Sequence, residues 1–159
     1  MIRVDKGRIV LACLAVLATV FSGSTYAESL SCAAESASGF VYDKQSETWQ
    51  ASSFPIENRK YVVQPANQDD LIARTLKYDY EIKDAGSSKP VIHCRAVRLP
   101  DSNEETGLIM CRGSFGAIFN IDRETGRYVR SQPTGYVTKR TSTATEEGPY
   151  LEIGNCFAN

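Results

Sequence analysis

The sequence is poor in several things that function often requires. It holds one His, His93, in 159 residues, together with one Trp and two Met. A single imidazole leaves little material for histidine-based catalysis or for a histidine metal site. Neither sign of charge dominates, since the formal net charge is −1. No basic surplus therefore points to nucleic acid or to an anionic membrane surface. No apolar run reaches the ~20 residues that a membrane-spanning helix needs. A redox CxxC pair and a Gly-x-Ser-x-Gly nucleophile elbow are both missing. What remains is ordinary for one globular domain: 42% hydrophobic, 9% aromatic and 23% charged residues, which excludes a disordered or fibrous chain.

The first residues form a separate unit. A basic start (Arg3, Lys6, Arg8) precedes an uncharged stretch from Ile9 to Phe21, and small residues Thr25 and Ala27 follow. This is the three-part pattern of a secretory signal peptide, with cleavage expected after Ala27. The apolar stretch is too short for an anchor. Neither Cys13 nor Cys32 sits in a lipobox context. We expect residues 1–27 to be removed and residues 28–159 to form a single domain, periplasmic or secreted, with no stable membrane insertion. Processing takes three of the 18 basic and one of the 19 acidic residues, so the mature charge is −3.

The same cleavage removes Cys13 and leaves four Cys: Cys32, Cys94, Cys111 and Cys156. An even number in an exported chain predicts two disulfides. Their spacings of 61, 16 and 44 residues contain no close pair, which argues against zinc.

Strand signals dominate the mature chain. Predicted strands cover 40–42, 48–50, 60–64, 91–99, 108–113, 116–121, 128–130, 136–140 and 150–153. Leu76, Tyr78, Tyr80 and Ile82 alternate with charged residues at a period of two. Clusters of Gly, Pro, Asn, Asp and Ser separate these segments. Only Gln68–Leu76 reads as helix, with Asp69 and Asp70 suited to its first turn. The expected fold is mainly β: a compact antiparallel barrel or sandwich with at most one short helix.

An offset of 79 residues superposes Cys32 on Cys111, Phe40 on Phe119, Asp43 on Asp122 and Trp49 on Tyr128. The shared unit is a hairpin in which Asp accepts turn hydrogen bonds and Gly126, in the second copy, takes a positive φ. Either such hairpins recur by chance or the domain has two similar halves. Two self-closed halves favour Cys32–Cys94 and Cys111–Cys156. The rival set is Cys94–Cys111 across neighbouring strands, with Cys32–Cys156 tying the ends.

The order Cys32, Gly39-Phe40, Trp49, Phe54, Tyr61-Val62, Cys94, Cys111, Phe119-Asn120, Thr125, Tyr128, Gly135-Tyr136 and the ending Tyr150-Leu-Glu-Ile-Gly-Asn-Cys156 resembles a group of small exported proteobacterial proteins. That group carries a signal peptide and a C-terminal Glu-Ile-Gly-x-Cys. The resemblance implies an exported, Cys-bridged domain and transfers no catalytic residue, cofactor or substrate.

Candidate chemistry is sparse. His93 sits in a strand context beside Cys94, with no motif that supplies a nucleophile and an orienting carboxylate. Asp69-Asp70, Glu104-Glu105 and Glu146-Glu147 are adjacent pairs, and neighbours on a strand face opposite ways. The segment Asp101–Gly107 approximates a calcium loop, but its Gly is one place late and position twelve is Arg112. Arg123, Arg127, Tyr128, Arg130 and Tyr136 interleave, yet Asp122 and Glu124 dilute the charge that a nucleic acid would need. No cofactor and no metal site are expected. The favoured function is a non-enzymatic exported domain that binds an envelope or extracellular protein, as an inhibitor, an immunity-type protein or an accessory. The alternative is a small-ligand carrier whose cavity is lined by Tyr42, Trp49, Tyr78, Tyr80 and Tyr128. A carboxylate hydrolase assembled from distant strands ranks last.

Overall fold

A computed structural model describes residues 29–133 and 147–159. The strands are β1 (Leu30–Asp43), β2 (Thr48–Ser53), β3 (Lys60–Pro65), β4 (Tyr80–Asp84), β5 (Pro90–Arg98), β6 (Glu105–Arg112), β7 (Ile118–Asp122), β8 (Arg127–Gln132) and β9 (Glu147–Ala158). One helix, α1 (Leu71–Leu76), and one 3-10 turn (Ser114–Gly116) complete the described elements. All described pairings are antiparallel between sheet neighbours, and β9 returns to pair with β1. Eight strands thus close into a barrel, and closure removes the sheet edges that an open array would expose.

The ninth strand, β2, lies outside that ring. β1 is long enough to meet β3 along residues 30–33 and β2 along residues 38–43, on the same edge. Pro55 breaks the path between β2 and β3, but Phe54 N donates to Ala37 O and Ala34 N donates to Arg59 O. The far half of β1, with β2 and the start of β9, therefore extends past the barrel as a three-stranded arm.

Alternation decides what fills the ring. Tyr61 and Val63, Tyr80 and Ile82, Cys94 and Ala96, Ile109 and Cys111, Phe119 and Ile121 are buried, while their neighbours in sequence mostly point outward. Tyr61, Phe119 and Tyr128 pack edge-on or stacked, with centroids 4.8–6.0 Å apart. These rings and the two disulfides fill the centre of the barrel.

The disulfides join residues that face each other directly across the ladder. Cys32 bonds Cys156 with Cα atoms 3.9 Å apart, and Cys94 bonds Cys111 at 4.0 Å. This corrects the favoured pairing Cys32–Cys94 and Cys111–Cys156. The halves do not close on themselves; β5 and β6 are neighbours, and the first and last strands meet at the seam. The two hairpins share their turn chemistry. Asp43 accepts from Gln45 N and Ser46 Oγ, and Asp122 accepts from Glu124 N and Thr125 N. Gly126 has φ +70°, as the turn requires. The likeness ends there, because Phe119 is buried in the ring whereas Phe40 is 48% exposed on the arm.

The helix starts later than expected. Asp70 caps it, accepting from Ile72 N and Ala73 N, while Asp69 N is held by Asn67 Oδ1. Leu76 and Tyr78 do not begin a strand. Lys77 takes φ +53° as the helix C-cap, and β4 starts at Tyr80. The expected strand at 136–140 and the signal segment 1–27 lie outside the described residues. No helix among those described is long and apolar enough to cross a membrane.

Both bridges should be visible in mass mapping of peptides under non-reducing conditions as Cys32–Cys156 and Cys94–Cys111. On the chain-entropy argument, replacing Cys94 and Cys111 together by Ser lowers stability by about 3 kcal/mol, and replacing Cys32 and Cys156 by about 5 kcal/mol, read from urea unfolding. An unchanged melt after either replacement would contradict a structural role.

Candidate functional site

The structure separates the five aromatics expected to line one cavity. Tyr80 and Tyr128 are core residues. Tyr78 lies outside the ring near α1, stacked on His93 at 5.3 Å with the Arg95 guanidinium over it. Tyr42 and Trp49 are cross-strand partners on the arm, their centroids 5.4 Å apart. The five do not line one cavity, because β2 sits beyond the barrel; of them, Tyr78 and Tyr80 share a cleft of about 440 Å³ beside α1 with Gln68, Arg74 and Glu105. His93 is 3.9 Å from Asp70 Oδ2, and its Nε2 has no hydrogen-bond partner. Among the described residues no group of three or more His, Cys, Asp or Glu converges as a metal site would require.

Chemistry is concentrated instead at the end of the barrel from which the arm extends. Glu152 is 0% exposed, facing inward from β9. Its carboxylate accepts from Arg59 Nη1 at 2.9 Å, Tyr61 Oη at 3.2 Å and Tyr128 Oη at 2.8 Å. Burying an ion without such donors costs several kcal/mol, so these three bonds are conditions for the fold. Local backbone makes room for them. Tyr128 opposes Gly154, and a Cβ on Gly154 would stand 2.6 Å from the Tyr128 ring and 2.2 Å from Ala33 O. Glycine lets the ring lie across the seam and bring its hydroxyl to Glu152.

Two guanidiniums flank this carboxylate. Arg59 lies over the Tyr150 ring at 4.9 Å and the Phe54 ring at 5.8 Å. Arg130 lies over Tyr61 at 5.0 Å and Tyr150 at 5.7 Å, and its Nη1 donates to Tyr61 Oη at 2.5 Å. Burial pushes the phenols of Tyr61, Tyr128 and Tyr150 above the ordinary tyrosine range. For Tyr61 the Arg130 charge works against this and the Glu152 charge with it. Beside the cluster, a cavity of about 230 Å³ opens between Tyr61, Ile82, Ile92, Phe119 and Arg130.

The second buried carboxylate, Glu81, belongs elsewhere. It bonds Gln64 Nε2 and Lys83 Nζ, and shares no partner with Glu152. Burial alone would raise its carboxyl; the Lys83 and Asn67 bonds outweigh burial and hold it below the usual range. A facing carboxylate pair of the kind a hydrolase uses is therefore not formed by these two. Glu105 is tied to Arg98 and Arg123, and Glu146 lies outside the described residues.

Arg59, Tyr61, Tyr150 and Glu152 sit in no motif that marks a site, and Arg130 stood out only within the basic–aromatic stretch weighed against nucleic acid. One signal was present: Glu152 lies four residues before Cys156, so on one strand both face the same way. Comparison with family models, with curated proteins and with solved structures finds no match for this chain.

Two outcomes follow. Glu152→Ala leaves Arg59 buried without its carboxylate and two phenols without an acceptor, and should cost about 3–5 kcal/mol in urea unfolding. The buried tyrosines also make the fold sensitive to alkali. Their pKa values are raised over the unfolded 10.0, so the unfolded chain ionises first. Their contribution is complete below pH 10 and is lost as pH rises further. Phenolate absorbance from the core tyrosines should appear only as the far-ultraviolet strand signal collapses.

Proposed function

We propose that the protein is a non-enzymatic, exported binding domain that takes an extended segment of an envelope or extracellular protein along its arm. The observation that carries this reading is the edge of β2. This strand ends the sheet order and pairs only with β1 among the described residues. Its sequence, Thr48-Trp-Gln-Ala-Ser-Ser53, has no charge and no Pro, the usual devices that keep an edge from pairing. Beside it, Phe40 and Tyr42 are 48% and 41% exposed. An added strand gains main-chain hydrogen bonds from the edge and specificity from such side chains.

Two disulfides suit an oxidising compartment outside the cytoplasm and brace the barrel behind the arm. The signal-like first 27 residues and the resemblance to exported proteobacterial proteins support the periplasm or the medium as the place of work. An inhibitor, an immunity-type protein and an envelope accessory all fit a rigid scaffold with one adhesive edge.

The test pairs the natural protein with a variant carrying Tyr42→Ala and Ala51→Lys. A partner captured from envelope extract is identified, purified and titrated against both. Binding at least tenfold weaker to the variant, with both proteins melting alike, supports the arm as the docking edge. Equal binding to both, or no direct binding by any captured protein, overturns it.

A further inference from the structure

We propose that the mouth of the barrel, beside the arm, is a binding site for a small organic carboxylate held by Arg130. The charges at this end do not cancel. Arg59 and Arg130 bring two positive charges and Glu152 one negative, and Arg59 is the guanidinium that ion-pairs with it. Among the described residues Arg130 forms no ion pair, and its hydrogen bond goes to a neutral phenol. The remaining N–H groups of its planar fork are left for another acceptor. A carboxylate matches that fork with two parallel bonds.

The cavity selects the rest of the ligand. Its volume of about 230 Å³ corresponds to roughly eight waters at ~30 Å³ each, so it suits a short chain or one small ring. Ile82, Ile92 and Phe119 supply apolar walls, with Ser114 at the rim. A charged group set among apolar walls is the usual grammar of a small-molecule site: shape from the walls, orientation from a few polar atoms. Tyr61 and Tyr150 stack against the guanidinium and fix its direction before a ligand arrives. Solvent is partly excluded here, so an ion pair to Arg130 is screened less than on the open surface.

The inference is independent of the arm and is tested without any protein partner. Butyrate, its neutral analogue butyramide, N-acetylvaline and N-acetylvalinamide are each titrated into the isotopically labelled protein, with isoleucine methyl shifts as the readout. The expected result is saturable shifts at Ile92 and Ile82 at millimolar butyrate or N-acetylvaline. Both amides should bind at least tenfold more weakly. Tighter butyrate points to a free carboxylate as ligand, and tighter N-acetylvaline to the end of a polypeptide; either upholds the carboxylate site. Arg130→Gln should lose the preference for acid over amide, and Ala117→Leu, which retains Arg130 but narrows the cavity, should weaken all probes. The proposal fails if acids and amides bind alike, if no methyl responds, or if both variants bind butyrate as the natural protein does.

Discussion

The barrel is organised around a carboxylate that water cannot reach. Glu152 is wholly buried, and its carboxylate is met by three donors, two from neighbouring positions at the start of β3 and one from β8. Arg59 stands just before β3, Tyr61 at its start, and Tyr128 on β8. The bond set therefore ties the last strand to its neighbour β8 on one side and, past β1, to β3 on the other. Gly154 follows from it, because Tyr128 can reach the carboxylate only by lying over a residue with no side chain. Tyr150 follows too, since its ring separates the two guanidiniums gathered at this end.

A sheet closed by its first and last strands has few local contacts at the seam, and such long-range closure carries a large entropy cost before it is rewarded. The Cys32–Cys156 bridge acts where that cost is highest, across a separation of 124 residues. Cys94–Cys111 pins a hairpin whose strands are already neighbours in sequence. The two bridges are thus unequal: one defends closure and the other defends local register. Both lie inside the ring and away from the arm, so the rigid part of the molecule and its open edge are spatially separate.

Much of this was legible in the sequence. The period of two, the punctuation by turn residues and the Cys count led to a small antiparallel barrel braced by two bridges. Three failures have physical causes. β1 was recognised only at Phe40–Tyr42, because its first ten residues are largely Ala and Ser, which carry little strand propensity but suit a tightly curved segment between β3 and β9. The disulfide pairing followed a repeat that is real in its Asp turns and stops there; a turn depends on four residues, whereas a bridge depends on which strands become neighbours. In β9 hydrophobicity pointed the wrong way. Leu151 and Ile153 are exposed, and Glu152 between them is buried. A barrel interior that holds an ion reverses the usual phase, and only the parity shared with Cys156 reveals it.

That reversal links the core to the surface. Because Glu152 is saturated by one arginine and two phenols, the second arginine, Arg130, pairs with no carboxylate among the described residues and lines the cavity. Because β9 turns Leu151 and Ile153 outward, the barrel beside the arm keeps an apolar exterior. The same end therefore presents two unlike surfaces, a cationic mouth beside the buried carboxylate and the uncharged edge of β2. At the opposite end, where α1 lies, Arg98 is paired with Asp79 and Glu105. Unmatched charge and unpaired backbone cost stability unless something outside the chain completes them. Their coincidence at one end of the barrel is the physical reason to look for ligand and partner there.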